Sequence, residues 1–156
     1  MSGPCIGMTL PPRNLTLAAA HIIGGAIASR DWQPQHHDHQ RAQDMNLPGI
    51  ILNTPSQMGL FCAFATAWSG PEGRVGRTAL RMRKPLCPGD VLSLTGRVTD
   101  ILEDMGGWNW VLLDLAIERD GVSASNCRLW LAVPGEERAS PWSAREAQWN
   151  PPELAE

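Results

Sequence analysis

Between Pro48 and Gly70 the chain carries no charged side chain. The run GIILNTPSQMGLFCAFATAWSG contains Pro55, which a first helical turn accepts because its missing N–H has no partner there anyway. Thr54 just before it offers a side-chain oxygen as N-cap. Met58, Phe61, Cys62 and Ala65 follow at helical spacing, and Ser69-Gly70-Pro71 ends the run. A helix without a charged face cannot lie on a surface with one side in water, so the rest of the chain must wrap it.

The residues after the helix supply a sheet. In RVGRTALRMRKP, Thr78, Leu80 and Met82 alternate with Ala79, Arg81 and Arg83, the period of a half-buried strand. A turn at PLCPGD leads to VLSLTGRVTDI, with Leu92, Leu94 and Val98 on one side. A turn at EDMGG leads to WNWVLLDLAIE, where Val111, Leu113, Leu115 and Ile117 share a face, and RDG leads to a last strand, VSASNCRLWLAV. Before the helix, residues 1–14 hold three prolines and predict an extended arm. Residues 20–28 are apolar, and Gly24-Gly25 argues for a strand there rather than an uninterrupted helix. The expected class is α+β: a curved antiparallel sheet, read as a meander, around one central helix, which is the hot-dog architecture. One such unit leaves a sheet edge and a helix flank uncovered, so a second unit beside it is expected, either another chain or a copy of this one.

With 156 residues and 43% hydrophobic side chains, the chain is sized for one domain, drawn here as residues 1–134. Residues 135–156 read as a polar, proline-punctuated tail, whose Trp142 and Trp149 point to docking on the domain or on a partner. A net charge of −3 gives no overall pull toward nucleic acid or an anionic membrane. Cys5, Cys62, Cys87 and Cys127 are scattered and form no C-x-x-C pair, as expected of reduced cytoplasmic thiols, and Cys62 reads as a small core residue. No leader or membrane span is expected, since no stretch approaches the roughly 18 apolar residues of a transmembrane helix. Trp108 and Trp110 share the strand face opposite the aliphatic one and suit packing against a neighbouring subunit or an acyl pocket.

The segment SRDWQPQHHDHQRA, residues 29–42, concentrates histidine and aspartate around Pro34. It admits three readings. A solvated loop asks nothing of the histidines. A metal site would need ligands from elsewhere, because His36, His37 and His39 are too close in sequence to converge easily, and only His21 remains. In the third, Pro34 bends the chain so that Asp31 and His36 face one small volume. Two such groups around one water suit addition of water across an activated double bond, where one proton leaves the water and one reaches the neighbouring carbon. Asp38 then caps a helical turn starting near His39, and His37 and His39 are surface or supporting groups.

The run Arg30-Asp31-Trp32-Gln33-Pro34-Gln35-His36-His37-Asp38 resembles the G-D-x-N-P-x-H-x-D loop of the MaoC-like enoyl-CoA hydratases, a hot-dog family. The buried helix follows at the family's distance, and RKPLCPGDVLSLTGRV is similar to its P-x-x-x-G-D segment, so the resemblance spans roughly residues 20–133. It implies that Asp31 and His36 activate water and transfer protons, with the thioester carbonyl at the N-terminus of the central helix. The family's Gly is Arg30 here, and its His-Gly pair is Asn53-Thr54 before Pro55. Since Pro55 has no N–H, the oxyanion contact falls to Thr54 or Ser56, with the Asn53 side chain a further donor. These departures, with a W-S-G-P stop, look like the small MaoC-like subunit of the two-subunit enoyl-CoA hydratases of steroid side-chain degradation. That likeness implies a second MaoC-like chain, in some cases fused to a DUF35/OB-type domain, and a bulky acyl-CoA substrate. No cofactor is implied beyond the CoA of the substrate.

Arg74, Arg77, Arg81, Arg83 and Lys84 form a basic stretch that could meet the CoA phosphates or lie on a solvated strand face; Arg77, Arg81, Arg83 and Lys84 are the candidates taken forward. A hot-dog thioesterase is the first alternative, but such enzymes carry a carboxylate on the central helix, and residues 56–69 contain none. A non-catalytic scaffold subunit is the second; it would have no need of Asp31 and His36.

Overall fold

The computed structural model describes residues 3–103, 107–135 and 139–154. Five strands form one antiparallel sheet: β1 (Arg13–Thr16), β2 (Arg74–Met82), β3 (Val91–Leu102), β4 (Trp108–Arg119) and β5 (Val122–Pro134), in the spatial order β1-β3-β4-β5-β2. Three helices precede β2: α1 (Ala19–Ala28), the short α2 (His39–Asp44) and the central α3 (Thr54–Ser69).

The strand periodicity holds. Leu92, Leu94, Val98, Val111, Leu113, Leu115, Ile117, Leu129 and Leu131 are buried in one cluster with Phe61, Phe64 and Ala65 of α3. Each large side chain removed from water in this way stabilises the fold by roughly 1.5–3 kcal/mol. The β4–β5 hairpin turns at Asp120 and Gly121, both at positive φ (54° and 72°), as a two-residue Asp-Gly loop requires. Of the expected EDMGG turn, Asp104, Met105 and Gly106 lie outside the described residues, as do 136–138 of the tail.

Five expectations are corrected. Residues 19–28 form helix α1, not a strand. A short apolar run does not distinguish the two, and Gly25 serves close packing instead of breaking the helix: a Cβ there would collide with the Ser56 hydroxyl on α3. The extended arm joins the sheet, since β1 pairs with β3 through Leu15↔Leu92. The last three strands form a meander, but β2 pairs with β5 through Leu80↔Cys127 rather than with its sequence neighbour β3. The connection from β2 to β3 therefore passes the start of α3, where fully buried Leu86 accepts a backbone hydrogen bond from Leu52 (2.9 Å). Asn53, not Thr54, is the N-cap of α3; its Oδ1 accepts from Ser56 N–H at 3.1 Å. The helix is also not wrapped on every side, because Gly59, Ala63 and Ala67 leave an exposed strip of small residues.

A second cluster covers the outer face of the sheet. Trp108, Trp110, Leu112 and Trp130 pack there against Trp149 and Leu154 of the same chain's tail. Trp149 lies against Trp110 with ring centroids 4.9 Å apart, and the Arg74 guanidinium sits 3.7 Å from the Trp149 ring centroid. Gly76 makes this possible, since a Cβ there would run into the Trp110 ring. The tail thus supplies the cover expected from a neighbouring subunit or an acyl group. Trp142 stays exposed beside Arg74.

Candidate active site

Helix α1 delivers Asp31 by the way it ends. Arg30 N–H donates to the Ile27 carbonyl (3.1 Å) and Asp31 N–H to the Ala26 carbonyl (2.9 Å), the paired bonds of a Schellman cap. Such a cap places its next-to-last residue in the left-handed region, and Arg30 has φ 54°. Glycine adopts that conformation freely, whereas a residue with a Cβ loses roughly 1–2 kcal/mol. The glycine of the family loop therefore has a geometric reason, and Arg30 holds the same shape at a cost.

One turn of 3₁₀ helix, Pro34–His36, then returns the chain toward Asp31. His36 is buried, and its Nδ1 lies 2.7 Å from the Ile51 carbonyl. A carbonyl oxygen only accepts, so Nδ1 carries a hydrogen. Nε2 faces Asp31 Oδ2 at 3.2 Å. The Ile51 segment is itself fixed, because Ile51 N–H donates to the Gln35 carbonyl (2.9 Å).

Asn53 joins this loop to the central helix. While its Oδ1 caps α3, its Nδ2 donates to Ser29 Oγ (2.8 Å) and to Asp31 Oδ2 (3.1 Å). Both amide hydrogens are spent and the side chain is 2% exposed, so Asn53 orients Asp31 and has no donor left for a substrate oxygen. Ser56 N–H is spent on Asn53, and Gln57 N–H on the Asn53 carbonyl (3.1 Å). Pro55 has no N–H. Among the described residues, the first turn of α3 leaves the Thr54 N–H open, at the positive end of the helix dipole.

Asp31, His36, Asn53, Thr54 and Gln57 line one cavity of about 430 Å³, with Met82, Arg83 and Lys84 at its rim. The structure thus brings Asp31, His36 and Thr54 together with two of the four basic candidates. Arg77 is turned away: its guanidinium donates to Glu153 (2.7 Å) and to the Pro151 carbonyl (3.4 Å) of the tail. Arg81 is exposed on β2 and does not line the cavity. His37 and His39 are exposed, and Asp38 caps α2 by accepting from Arg41 N–H (3.1 Å). No group of three or more metal-ligating side chains forms among the described residues, nor is any described helix long and apolar enough to cross a membrane.

Sequence reasoning missed Ser29, which the Asn53 bond draws in, and Gln57. Gln57 is 2% exposed, donates to the Leu52 carbonyl (3.1 Å) and accepts from the Ser125 hydroxyl, holding the segment that carries Asn53. A lone glutamine among the apolar residues of a buried helix was the available signal. The remaining cysteines lie outside this chemistry. Burial pushes the Cys127 thiol up to about 12, and burial also raises Cys62.

Known proteins share this arrangement of elements. Residues 4–106 match the family model described as MaoC like domain. The chain is 30% identical over 96 residues to the 3-oxo-4,17-pregnadiene-20-carboxyl-CoA hydratase beta subunit of Mycobacterium tuberculosis, covering 62% of this chain and 74% of that one. The solved ChsH1-ChsH2 complex from the same organism superposes with TM-score 0.77 at 24% identity, over 83% of this chain and 98% of that chain. The (R)-hydratase of A. caviae involved in PHA biosynthesis gives TM-score 0.76 at 20% identity, over 86% of this chain and all of that one (100%). At those identities the two structures show the shared hot-dog fold. The family model covers about two thirds of the sequence, and on that ground, with the 30% relative beside it, the chain belongs to the MaoC-like domain family.

Proposed function

We propose that this chain is the catalytic subunit of an enoyl-CoA hydratase, adding water reversibly across the 2,3 double bond of a 2-enoyl-CoA to give a 3-hydroxyacyl-CoA. The observation that carries the reading is the Asp31–His36 pair, 3.2 Å apart, opening onto the same cavity as the unspent Thr54 N–H. Thr54 N–H and the helix dipole stabilise the enolate-like oxygen that develops on the thioester carbonyl. A water held by the pair loses a proton as its oxygen bonds to C3, and a proton from the pair goes to C2. The pair takes one proton and gives one, so it ends each turnover as it began. Asn53 keeps the Asp31 carboxylate aimed. Arg83 and Lys84 at the rim meet the phosphates of CoA, with Arg81 further out, and the chemistry needs no cofactor.

The 30% relative, by name the beta subunit of a pregnadiene-carboxyl-CoA hydratase, supports a bulky, steroid-side-chain-like acyl group and a second MaoC-like chain as partner. The exposed strip Gly59-Ala63-Ala67 on α3 and the open edge of β2 leave room for such a partner. The test is hydration of short and steroid-type 2-enoyl-CoA, followed by loss of the enoyl-thioester absorbance, with and without a co-expressed MaoC-like chain. Asp31→Asn should lower kcat by about 100- to 10,000-fold while the thermal midpoint moves little; His36→Ala should lower kcat as far and also lower the midpoint, because it removes the buried bond to the Ile51 carbonyl. Activity unchanged in both variants would assign the chemistry to the partner and make this chain a scaffold.

A further inference from the structure

Asp31 also lines a second cavity, of about 280 Å³, against helix α1. Among the described residues its other walls are Ile23, Ala26 and Ile27 of α1, then Trp32 and His37. The two cavities differ in polarity: the first has Arg83 and Lys84 at its rim, whereas the second is apolar apart from Asp31 and His37. Its walls can be reached from outside, since Trp32 is 67% and Ile27 56% exposed. Large apolar side chains clustered in water beside a candidate catalytic carboxylate mark a surface that a ligand covers.

The cavity has its cause in the helix cap. A Schellman cap is commonly closed by an apolar side chain on the residue after the left-handed one, packed back on the last turn of the helix. That position is Asp31 here: its N–H reaches the Ala26 carbonyl (2.9 Å), while its carboxylate is drawn off to Asn53 (3.1 Å) and His36 (3.2 Å). The last turn of α1 is therefore left without its usual cover.

Resting on the thioester reading above, the occupant follows from the path of the substrate. With the carbonyl at Thr54 and the CoA leaving past Arg83 and Lys84, C3 meets the dyad and the carbons beyond it continue past Asp31, away from the charged rim. We propose that the acyl group, from C4 outward, lies in the cavity between α1 and Trp32, and that Trp32 and Ile27 set the preference for its length and bulk. At about 280 Å³ the space falls just short of the roughly 300–1,000 Å³ of pockets that enclose a whole ligand. It takes the first carbons past C3, and a larger group rests on the exposed indole.

Crotonyl-CoA ends at C4, whereas oct-2-enoyl-CoA carries a longer chain into the cavity. With the co-expressed MaoC-like chain present, Trp32→Ala should lower the ratio of kcat/KM for octenoyl-CoA over crotonyl-CoA by about tenfold, as expected when about two methylene groups lose their apolar cover. Ile27→Ser, on the other wall, should lower the same ratio. A loss of loop order that slows both substrates alike cancels from it. A ratio at the wild-type value in either variant overturns the proposal, and weakened assembly with the partner beside an unmoved ratio would make the patch a subunit contact instead. Calorimetric affinity for saturated octanoyl-CoA over butyryl-CoA is read alongside and needs no turnover. A preference for the longer acyl group that falls in both variants upholds the inference even in a protein that hydrates nothing, whereas a preference that is absent, or unmoved in either variant, sinks it even in an active hydratase.

Discussion

The two faces of the sheet are built from the same strands and covered in opposite ways. On the inner face, alternate aliphatic residues of β3, β4 and β5 meet the central helix, whose N-terminus carries Asn53 and Thr54 beside the dyad. On the outer face, Trp108, Trp110 and Trp130 meet a proline-rich segment that crosses back from the C-terminal side, clamped by Arg74 and Arg77. The inner cover is a regular element whose end groups are available for chemistry. The outer cover is irregular, and its polar groups are consumed in holding it down: Trp130 Nε1 donates to the Glu153 carbonyl (3.2 Å) and Arg74 to the Pro141 carbonyl (3.1 Å). A helix fills a groove and still presents an open N–H at its first turn; the tail is held through its own carbonyls at Pro141, Pro151 and Glu153.

That contrast breaks first at Asn53, where one side chain both caps α3 and holds Asp31. Asn53→Ala should cost about 1 kcal/mol of stability as a lost cap and lower kcat about tenfold or more through the disoriented Asp31. Asn53→Asp separates the two: it restores the cap, but sets a carboxylate against Asp31, so stability recovers and kcat does not. Full recovery of kcat in Asn53→Asp would mean that the Asp31 bond is incidental. On the other face, Trp149→Ala should destabilise the fold by about 2 kcal/mol in urea unfolding with kcat and KM unchanged. A matching loss of activity would show the faces coupled through the sheet. The smallest effects lie along the basic stretch. Arg83→Ala with Lys84→Ala should raise KM for enoyl-CoA by about tenfold in low salt and less in high salt, whereas Arg77→Ala should leave KM alone and cost less than about 1 kcal/mol, its partner Glu153 being well exposed.

The inner face was readable from sequence because it obeys a period. Val111, Leu113, Leu115 and Ile117 announce their side of β4, and the charge-free run announces α3. The dyad was readable because Asp31, Pro34 and His36 stand at a fixed short spacing. What failed was set by tertiary contact. Gly25 breaks an isolated helix on paper and here lets α1 approach Ser56. Asn53 reads as a substrate donor until the Ser29 hydroxyl and the Asp31 carboxylate are seen to take both its hydrogens. Arg77 reads as a phosphate ligand until the tail is seen to claim it. No local pattern in β2 encodes its pairing with β5.

The strap also imposes an order on how the chain matures. The hairpins joining β3, β4 and β5 are local and form fast, but the groups that shield Trp108, Trp110 and Trp130 lie at 149–154, beyond every strand. During synthesis the meander therefore emerges with an indole-rich surface bare, and it stays bare until those residues leave the ribosome. In that interval the nascent chain is a ligand for chaperones and for its own neighbours. A chain stopped at Pro134 would keep Asp31, His36 and the helix, and should aggregate more readily for want of that cover.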